Sequence, residues 1–356
     1  MPGGAGTVRI TYRLRSGLYF AYTLAEAVTV LAARRIRSRL GRKAPPDRRA
    51  SFLRIFLLHA FGRQPPIRIT CAERSDGAGA QAHTIMSAMC FAQAHGHTYV
   101  HTPFAAIDHA EQPAPDWVDA WEKLFNLGDG EERAETLKDR VYNYSSFHPR
   151  LYYAMTGGFR SADESRSRTR KGVGRPERHF HPYFYYADSH PESFQAIIPE
   201  LRRKYWTGKK RSGNGDLMVA LHMRRGDVTA RNTMRYTPIE SVHRTAEAVK
   251  SVLTDAGISY SMRLYSQGPA DGFAALRDVG VELCLDVDAV WTMQQLITAD
   301  VLVMSKSSFS YVAALISDGI KLYEPFWHPP LRSWLPRNSH GRFDRREFER
   351  QLKNFR

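Results

Sequence analysis

The C-terminal half of the chain alternates between short apolar runs and amphipathic stretches. The amphipathic stretches have apolar residues at helical spacing and predict helices. One of them begins at Pro238 and contains Val242, Ala246, Val249 and Leu253. The short apolar runs have the length of strands and predict strands at 217–221, 262–266, 282–285, 301–304 and 320–323. Strands that alternate with helices predict a parallel, doubly wound, Rossmann-like sheet.

The N-terminal half begins with the same alternation in a less regular form. A strand, a glycine-containing loop, a helix and a second strand are predicted, in that order, at 67–71, 76–81, 82–94 and 99–101. Glycines before a helix let the backbone approach a ligand, and the helix N-terminus favours negative charge. The stretch from 103 to 160 is rich in aromatic residues and is predicted to be irregular.

The length of 356 residues is enough for two domains. Residues 209–216 are polar and contain two glycines, which is typical of a linker. We therefore expect an N-terminal Rossmann-like domain at 67–208, a C-terminal Rossmann-like domain at 217–328, and a basic C-terminal tail or helix at 329–356.

Residues 1–66 form a basic, amphipathic segment. Residues 17–33 are mostly apolar, but they contain Glu26 and are too few for a confident membrane span. Basic residues flank them, and a second basic and apolar stretch follows at 48–58. We expect residues 13–58 to dock on an anionic membrane surface, which predicts a cytoplasmic protein peripheral to the inner face of the plasma membrane. The alternative is ordinary helices packed on the fold.

The net charge indicates the kind of partner, and the cysteines indicate the redox state of the compartment. The chain has 51 basic and 36 acidic residues, hence a net charge of +15, so its partner is expected to be anionic: a nucleotide, a nucleic acid or a lipid surface. Cys71, Cys90 and Cys284 are widely spaced and odd in number. They offer neither a disulfide framework nor paired zinc ligands, and we interpret them as core residues in a reducing compartment.

Polar clusters follow the predicted strands of the C-terminal half and, because parallel strands share one carboxyl edge, should converge in one crevice. One cluster contains His222, Arg224 and Arg225; a guanidinium needs an anionic partner and grips phosphate oxygens with two hydrogen bonds. A serine-rich turn at 305–310 begins a helix and offers hydroxyl and N–H groups to phosphate. The structural alternatives are a salt bridge of the arginines with Asp227 and simple helix capping by the serines.

These residues resemble the motifs of a known family. The run His222-Met223-Arg224-Arg225-Gly226-Asp227, followed about 80 residues later by 305–310, resembles the motif set of α1,2-, α1,6- and protein O-fucosyltransferases. The loop 76–81 resembles their N-terminal Gly-x-Gly-Asn-Gln loop, and the resemblance covers roughly 67–324. It implies an α/β, GT-B-like fold with two Rossmann-like domains that face a central cleft, GDP-fucose as the donor, inversion at the anomeric carbon, and neither a metal nor a cofactor.

The resemblance also implies roles for individual residues. Arg224 would contact the β-phosphate, Arg225 would support it, and Asp227 completes the catalytic set. Asp286 or Asp288 would bind guanine through paired hydrogen bonds. The predicted donor-binding residues are Gly77, Gly79, Gln81, His222, Asp286, Asp288, Ser305, Ser307, Ser308 and Phe309.

Two features depart from the family pattern. The α1,6-type enzymes have, soon after the arginine motif, a glutamate that serves as the catalytic base. Residues 228–233 of this chain contain no acid. Asp227, Glu73 and Asp76 are the candidates for the base that activates the acceptor. The usual asparagine of the glycine loop is Ala80.

We interpret the chain as a glycosyltransferase that moves fucose from GDP-fucose to a glycan or another hydroxyl acceptor, with polysaccharide biosynthesis as the expected context. Three alternatives remain open. A metal-dependent GT-A glycosyltransferase would use Asp286-Val287-Asp288 as a metal-binding DxD motif. A basic nucleic-acid-binding protein would explain the charge, but no recognition motif of known spacing is present, so we do not expect nucleic acid as a partner. The third is a membrane-docked binding module without catalysis.

Overall fold

The computed structural model divides the chain into two compact units. It describes residues 68–71, 76–94, 96–105, 107, 116–134, 140–143, 177–181, 185–210, 215–232 and 234–355. Unit 1 comprises 1–73, 87–102 and 130–186, and unit 2 comprises 74–86, 103–129 and 187–356. The expected membrane-docking stretch 13–58 and the candidate base Glu73 lie outside the described residues.

Unit 1 contains a parallel sheet. Its described strands have the order β3-β2-β1-β5-β4, and every pair in it is parallel. Ile69 and Val100 are completely buried, as expected for strands covered on both faces. The strands are β1 (Arg68–Cys71), β2 (Thr98–His101), β3 (Glu132–Arg133), β4 (Arg140–Asn143) and β5 (Glu177–His181). The predicted order of strand, loop, helix and strand is confirmed, since helix α1 (Ala78–Ala94) lies between β1 and β2.

Unit 2 contains a six-stranded parallel sheet in the order β11-β10-β9-β6-β7-β8. Its strands are β6 (Leu217–His222), β7 (Tyr260–Ser266), β8 (Glu282–Leu285), β9 (Val301–Val303), β10 (Ile320–Tyr323) and β11 (Leu335–Pro336). The helices that follow α1 are α2 (Trp117–Phe125), α3 (Tyr185–Ser189), α4 (Glu192–Trp206), α5 (Ile239–Asp255), α6 (Ala274–Asp278), α7 (Ala289–Thr298), α8 (Ser308–Ile316) and α9 (Arg345–Phe355). The predicted alternation of strands and helices, and with it the α/β fold class, is confirmed.

The core of unit 2 lies between β6 and α5. Leu217, Val219 and Leu221 point from alternate positions of the strand into the same cluster. The predicted apolar face of α5 is buried against them, with Val249 and Leu253 completely inaccessible to solvent. Full burial of each such side chain stabilises the fold by about 1.5–3 kcal/mol. The three cysteines are buried, as predicted for core residues.

Three segments differ from the sequence-based expectation. The region 329–356 is part of the second sheet, because β11 pairs with β10 and α9 buries Phe348 and Leu352. Helix α4 belongs to unit 2, where Arg202 donates hydrogen bonds to the carbonyls of Ile316 and Ser317 at 3.0 and 2.6 Å. Helix α2 lies within the stretch predicted to be irregular. No helix in the part of the chain that the structure describes is both long and apolar enough to cross a membrane.

The strand order reverses at the centre of the second sheet. From β6 the chain continues through β7 to β8 on one side, whereas β9 and β10 lie on the other side. Ligands of open α/β sheets bind at such a reversal, outside the carboxyl ends of the strands. Here His222 is the last residue of β6, and Ser305 follows the end of β9.

Candidate active site

A pocket of about 290 Å³ opens at this reversal, entirely within unit 2. We call it the switch-point pocket. Its lining is formed by 76–80, Ile107, Trp117, Trp121, 222–225, Arg235, 265–267, Val287, Ala289, Thr292, 306–309 and Trp327. The arginine motif and the serine turn, which the sequence predicts to converge, therefore line one pocket, and the glycine loop lines it with them.

Two helix N-termini meet in this pocket. The carbonyl of Gly77 accepts hydrogen bonds from the N–H groups of Ala80 and Gln81 at 2.9 and 3.1 Å, which begins helix α1. A Cβ atom on Gly79 would lie 2.7 Å from the backbone N and Cα of Phe309, in the first turn of α8. Only glycine permits this approach. Because the N-terminus of a helix carries partial positive charge and N–H groups without intrahelical partners, two of them together favour an anion.

The two arginines of the motif have different environments. Arg224 donates from Nε to Asp227 Oδ1 at 2.8 Å, an ion pair that leaves the terminal Nη groups of its guanidinium unused. Arg225 is half-buried: Nη1 donates to the carbonyl of Arg224 at 3.0 Å, Nη2 donates to that of Thr237 at 2.8 Å, and the guanidinium lies 4.4 Å from the ring centre of Tyr236. Arg224 is thus placed to bind a ligand, and Arg225 to hold the loop that carries Arg224.

A buried network, which the sequence analysis missed, places a further cation in the pocket. Lys306 Nζ lies 3.2 Å from Glu324 Oε1, and the same carboxylate is 2.7 Å from Arg337 Nη2 and 2.6 Å from Thr237 Oγ1. Arg337 is almost completely buried and also donates to the carbonyl of Met304 at 3.1 Å. The network fixes the side chain of Lys306, a member of the serine turn, in the lining of the pocket.

The pocket has an excess of positive charge. Four cations line it, Arg224, Arg225, Arg235 and Lys306, against one acid, Asp76. Including the residues behind them, which are Arg337, Asp227 and Glu324, gives five cations and three carboxylates, a net charge of +2. A diphosphate group would offset this excess.

His222 joins the two strand ends at the reversal. Its Nδ1 lies 2.8 Å from Ser305 Oγ, and its ring centre is 5.4 Å from that of Phe309. Burial, and to a smaller extent the charge of Arg224, lowers the pKa of His222 to about 3. The imidazole is therefore neutral at physiological pH and acts through hydrogen bonding rather than through charge.

The four hydroxyl groups of the serine turn have different hydrogen-bond partners. Ser307 caps helix α8 by accepting from the N–H of Phe309 at 3.2 Å, and Ser310 donates to the carbonyl of Ser305 at 3.2 Å. Ser305 is bonded to His222 and does not line the pocket. Ser308 does line it, and its Oγ is 2.9 Å from His328 Nε2.

Besides Ser305, four predicted site residues lie outside the lining of the pocket. Asp288 caps helix α7 and accepts from the N–H of Trp291 at 2.6 Å. Asp286, at a φ of 52°, accepts from the N–H of Gly268 at 3.1 Å. Gln81 is buried, donates to the carbonyl of Asp76 at 2.8 Å and accepts from the N–H of Ala105 at 3.2 Å. With Asp227, which holds Arg224, all four fix loops beside the pocket.

Aromatic side chains form a wall that the sequence analysis did not identify. Trp117 and Trp121, four residues apart on α2, line the pocket, and the ring of Trp121 meets that of Phe309 edge to face at 6.0 Å between centres. Tyr265, at the end of β7, also lines it, and burial raises its pKa to about 12. The signal was present in the helical spacing of the two tryptophans. Such a wall suits the flat faces of a base or a sugar.

Comparisons with known proteins gave matches among solved structures. No protein-family model matches the chain, and no curated protein does. It is similar to fucosyltransferase NodZ from Bradyrhizobium (13% identity, 71% of this chain and 94% of that chain, TM-score 0.35) and to POFUT1 in complex with GDP (13%, 72% and 96%, 0.36). A variant of Arabidopsis thaliana FUT1 in complex with GDP also matches (10%, 85% and 80%, 0.37). These structural neighbours are fucosyltransferases.

Proposed function

We propose that the protein is a glycosyltransferase that binds a GDP-sugar, GDP-fucose as the motif resemblance implies, in the switch-point pocket and transfers the sugar to a hydroxyl group of a carbohydrate acceptor. The observation that carries the proposal is the meeting of two helix N-termini at Gly79 and Phe309, beside Arg224 and Lys306. Backbone dipoles and fixed cations on one small surface match a diphosphate better than they match a lone carboxylate.

The same groups favour departure of the nucleotide. As the bond from the anomeric carbon to the phosphate oxygen breaks, negative charge grows on the diphosphate and the sugar becomes oxocarbenium-like. Cations held in place before the reaction stabilise that charge without reorganisation. We assign this role to Arg224 and Lys306, and assign to Asp227 and Arg225 the positioning of Arg224.

The aromatic wall is assigned to the neutral parts of the donor. Trp117, Trp121 and Tyr265 surround the space next to the cationic groups. Asp286 remains our candidate for guanine recognition, since its neighbour Val287 lines the pocket, and Asp288 is reserved for the cap of α7. Transfer without a metal and with inversion is part of the proposal.

The remaining parts of the chain receive proposals of their own. We propose that the part of the predicted N-terminal domain 67–208 that lies in unit 1 recognises the acceptor. We also propose that residues 13–58 dock a cytoplasmic enzyme on an anionic membrane surface. Deletion of residues 1–60 should then move the protein from the membrane fraction to the soluble fraction. If the deletion left the protein in the membrane fraction, the docking proposal would be contradicted, but the function proposed for the switch-point pocket would not.

The proposed function is tested by thermal unfolding with nucleotides in EDTA, followed by assay of GDP-sugars. GDP should raise the melting temperature without metal and UDP should do so much less, because the predicted site is selective for guanine. GDP-fucose should then release GDP, measured by chromatography. Stronger stabilisation by UDP, or a nucleotide effect that appears only with added metal, would contradict the proposal.

A further inference from the structure

A serine, a histidine and an aspartate lie in a row at one wall of the switch-point pocket; the histidine is buried and the other two are partly buried. Ser308 Oγ is 2.9 Å from His328 Nε2, and His328 Nδ1 is 2.7 Å from Asp188 Oδ1. Ser308 lines the pocket, while the His328 side chain is only 2% exposed. A hydroxyl, an imidazole and a carboxylate in this order form the arrangement in which the imidazole takes a proton from the hydroxyl and the carboxylate orients the imidazole.

The indole of Trp327 identifies the tautomer of His328. Trp327 Nε1 lies 3.1 Å from His328 Nε2, and an indole N–H can only donate. Nε2 is therefore the accepting nitrogen, and the ring proton resides on Nδ1, where it is donated to Asp188. The hydroxyl of Ser308 must also donate to Nε2, so its oxygen turns lone pairs towards other groups. Such a hydroxyl is a poor donor to phosphate and a good acceptor for a proton.

The surroundings hold His328 in this position. The hydroxyl of Tyr323 donates to the backbone carbonyl of His328 at 2.6 Å, and that of Tyr311 donates to the carbonyl of Pro329 at 2.8 Å. The ring of His83 stacks on that of His328 at 4.0 Å between centres, with its Nε2 3.5 Å from Asp188 Oδ1. Side chains locked by packing and hydrogen bonds are typical of a preorganised reaction centre.

We propose that Ser308, His328 and Asp188 form a proton relay that deprotonates the hydroxyl group attacking the sugar, a role that rests on the proposed glycosyl transfer. The attacking oxygen bonds to the anomeric carbon while the bond to GDP breaks and its electron pair leaves with the phosphate oxygen. The proton of the attacking hydroxyl passes to Ser308 Oγ, and the proton of Ser308 passes to His328 Nε2. The imidazolium faces the carboxylate of Asp188 and later releases its proton to solvent.

The relay supplies the base that the sequence motif lacks. Residues 228–233 contain no acid, and Asp227 is held in an ion pair with Arg224. Trp327 shares the lone pair of His328 Nε2 before reaction, so its indole N–H must move aside when that nitrogen takes a proton. Trp327 is 38% exposed and lines the pocket, so its indole has open space into which it can turn.

A metal site is the competing interpretation of the same cluster. His83, Asp188 and His328 offer ligand atoms that lie within 4.8 Å of one another. Both nitrogens of His328 already have partners, however, and its ring stacks on that of His83 instead of meeting it at a common point. These contacts favour the relay. Zn²⁺ that binds at one equivalent to the wild type and not to His328→Gln would overturn it.

The first experiment compares water with azide as the nucleophile towards GDP-fucose. Azide has no proton to lose, so it needs no base. Ser308→Ala and His328→Gln should bind GDP within about threefold of the wild type by titration calorimetry. GDP release in water should fall by about 10²- to 10⁴-fold, the usual contribution of a general base, and azide should restore it. Ser333→Ala, at an exposed position outside the lining of the pocket, is the control and should retain the rate in water.

The outcomes separate the relay from the proposed function. A wild type that does not bind GDP overturns the proposed function and, with it, the relay. Normal GDP binding with an unchanged rate in water, or a loss that azide does not restore, overturns the relay alone. A merely structural role would lower both rates together.

A second experiment tests the activation of Ser308 without any nucleotide. An alkyl fluorophosphonate should phosphonylate Ser308 Oγ with release of fluoride, detected by mass spectrometry of the peptide that contains it. Labelling should be lost in His328→Gln and at least tenfold slower in Asp188→Asn, with circular dichroism as the control for folding. Absent labelling in the folded wild type, or equal labelling in all three proteins, would overturn the relay.

Discussion

His222 Nδ1 lies 2.8 Å from Ser305 Oγ, so one hydrogen bond joins the ends of β6 and β9 where the strand order reverses. The two residues are 83 positions apart in the chain, and both are buried. This contact brings the arginine motif and the serine turn together, and its stability depends on a neutral imidazole.

Acid should weaken the fold through His222. Burial holds its pKa at about 3, against an ordinary value of 6.5, so the unfolded chain binds the proton first as the pH falls. The folded state then loses about 1.4 kcal/mol per pH unit from this group below pH 6.5, until the pH approaches 3. Urea unfolding at pH 7 and pH 5 should show a loss about 2 kcal/mol smaller in His222→Gln than in the wild type. Equal losses in the two proteins would contradict this account.

The close approach at Gly79 should make an alanine harmful there. Alanine normally stabilises a helix by about 1 kcal/mol relative to glycine. At Gly79, however, the added methyl group would lie 2.7 Å from the backbone of Phe309, which cannot rotate away. We expect Gly79→Ala to lower the free energy of unfolding by about 1–3 kcal/mol, as overpacking does, and to weaken GDP binding.

Gly272→Ala is the matched control for that substitution. A Cβ atom on Gly272 meets no atom within 4 Å, so the free energy of unfolding and the affinity for GDP should stay close to those of the wild type. If both variants behaved alike, the two helix N-termini would not be in contact as described.

Arg225 should tolerate lysine poorly, although it contacts no ligand in our account. A lysine cannot donate to the carbonyls of Arg224 and Thr237 together and stack on Tyr236. We expect Arg225→Lys to lower the free energy of unfolding by about 1–2 kcal/mol and to reduce kcat more than GDP affinity. Arg231→Lys, at an exposed position of the same loop, should leave both unchanged. Loss of GDP binding in Arg225→Lys with a normal free energy of unfolding would instead indicate direct contact with the nucleotide.

Local sequence patterns predicted most of the second sheet. β6 and α5 were identifiable because strand length and helical spacing are local properties, and the carboxyl-edge rule brought Arg224 and Ser307 to one pocket. Asp288 shows the limit of this reasoning, because a carboxylate after a strand looks the same in sequence whether it caps a helix or binds a ligand. The hydrogen-bond networks could not be predicted from local patterns. Asp188 and His328 are 140 residues apart, and Thr237 and Glu324 are 87 apart, so only the folded chain brings them together.

The region 329–356 illustrates a different limit. Its basic composition predicted a tail or helix after the second domain. Helix α9 is present, and its Phe348 and Leu352, one turn apart, are buried in the core of the second sheet. The helical spacing of Phe348, Leu352 and Phe355 predicts an apolar face on this helix, but local spacing does not identify the sheet against which that face packs. The basic residues that dominate its composition lie mostly on the surface, and composition alone does not reveal the buried side chains.

Calorimetric titration of GDP in EDTA into the wild type and Arg224→Ala tests the central claim most directly. The wild type should bind one GDP per chain, and Arg224→Ala should bind it at least tenfold more weakly with an unchanged melting temperature, since a charge-assisted hydrogen bond is worth about 1.5–3 kcal/mol. No GDP binding to the wild type, or equal affinity in the two proteins, would contradict the account.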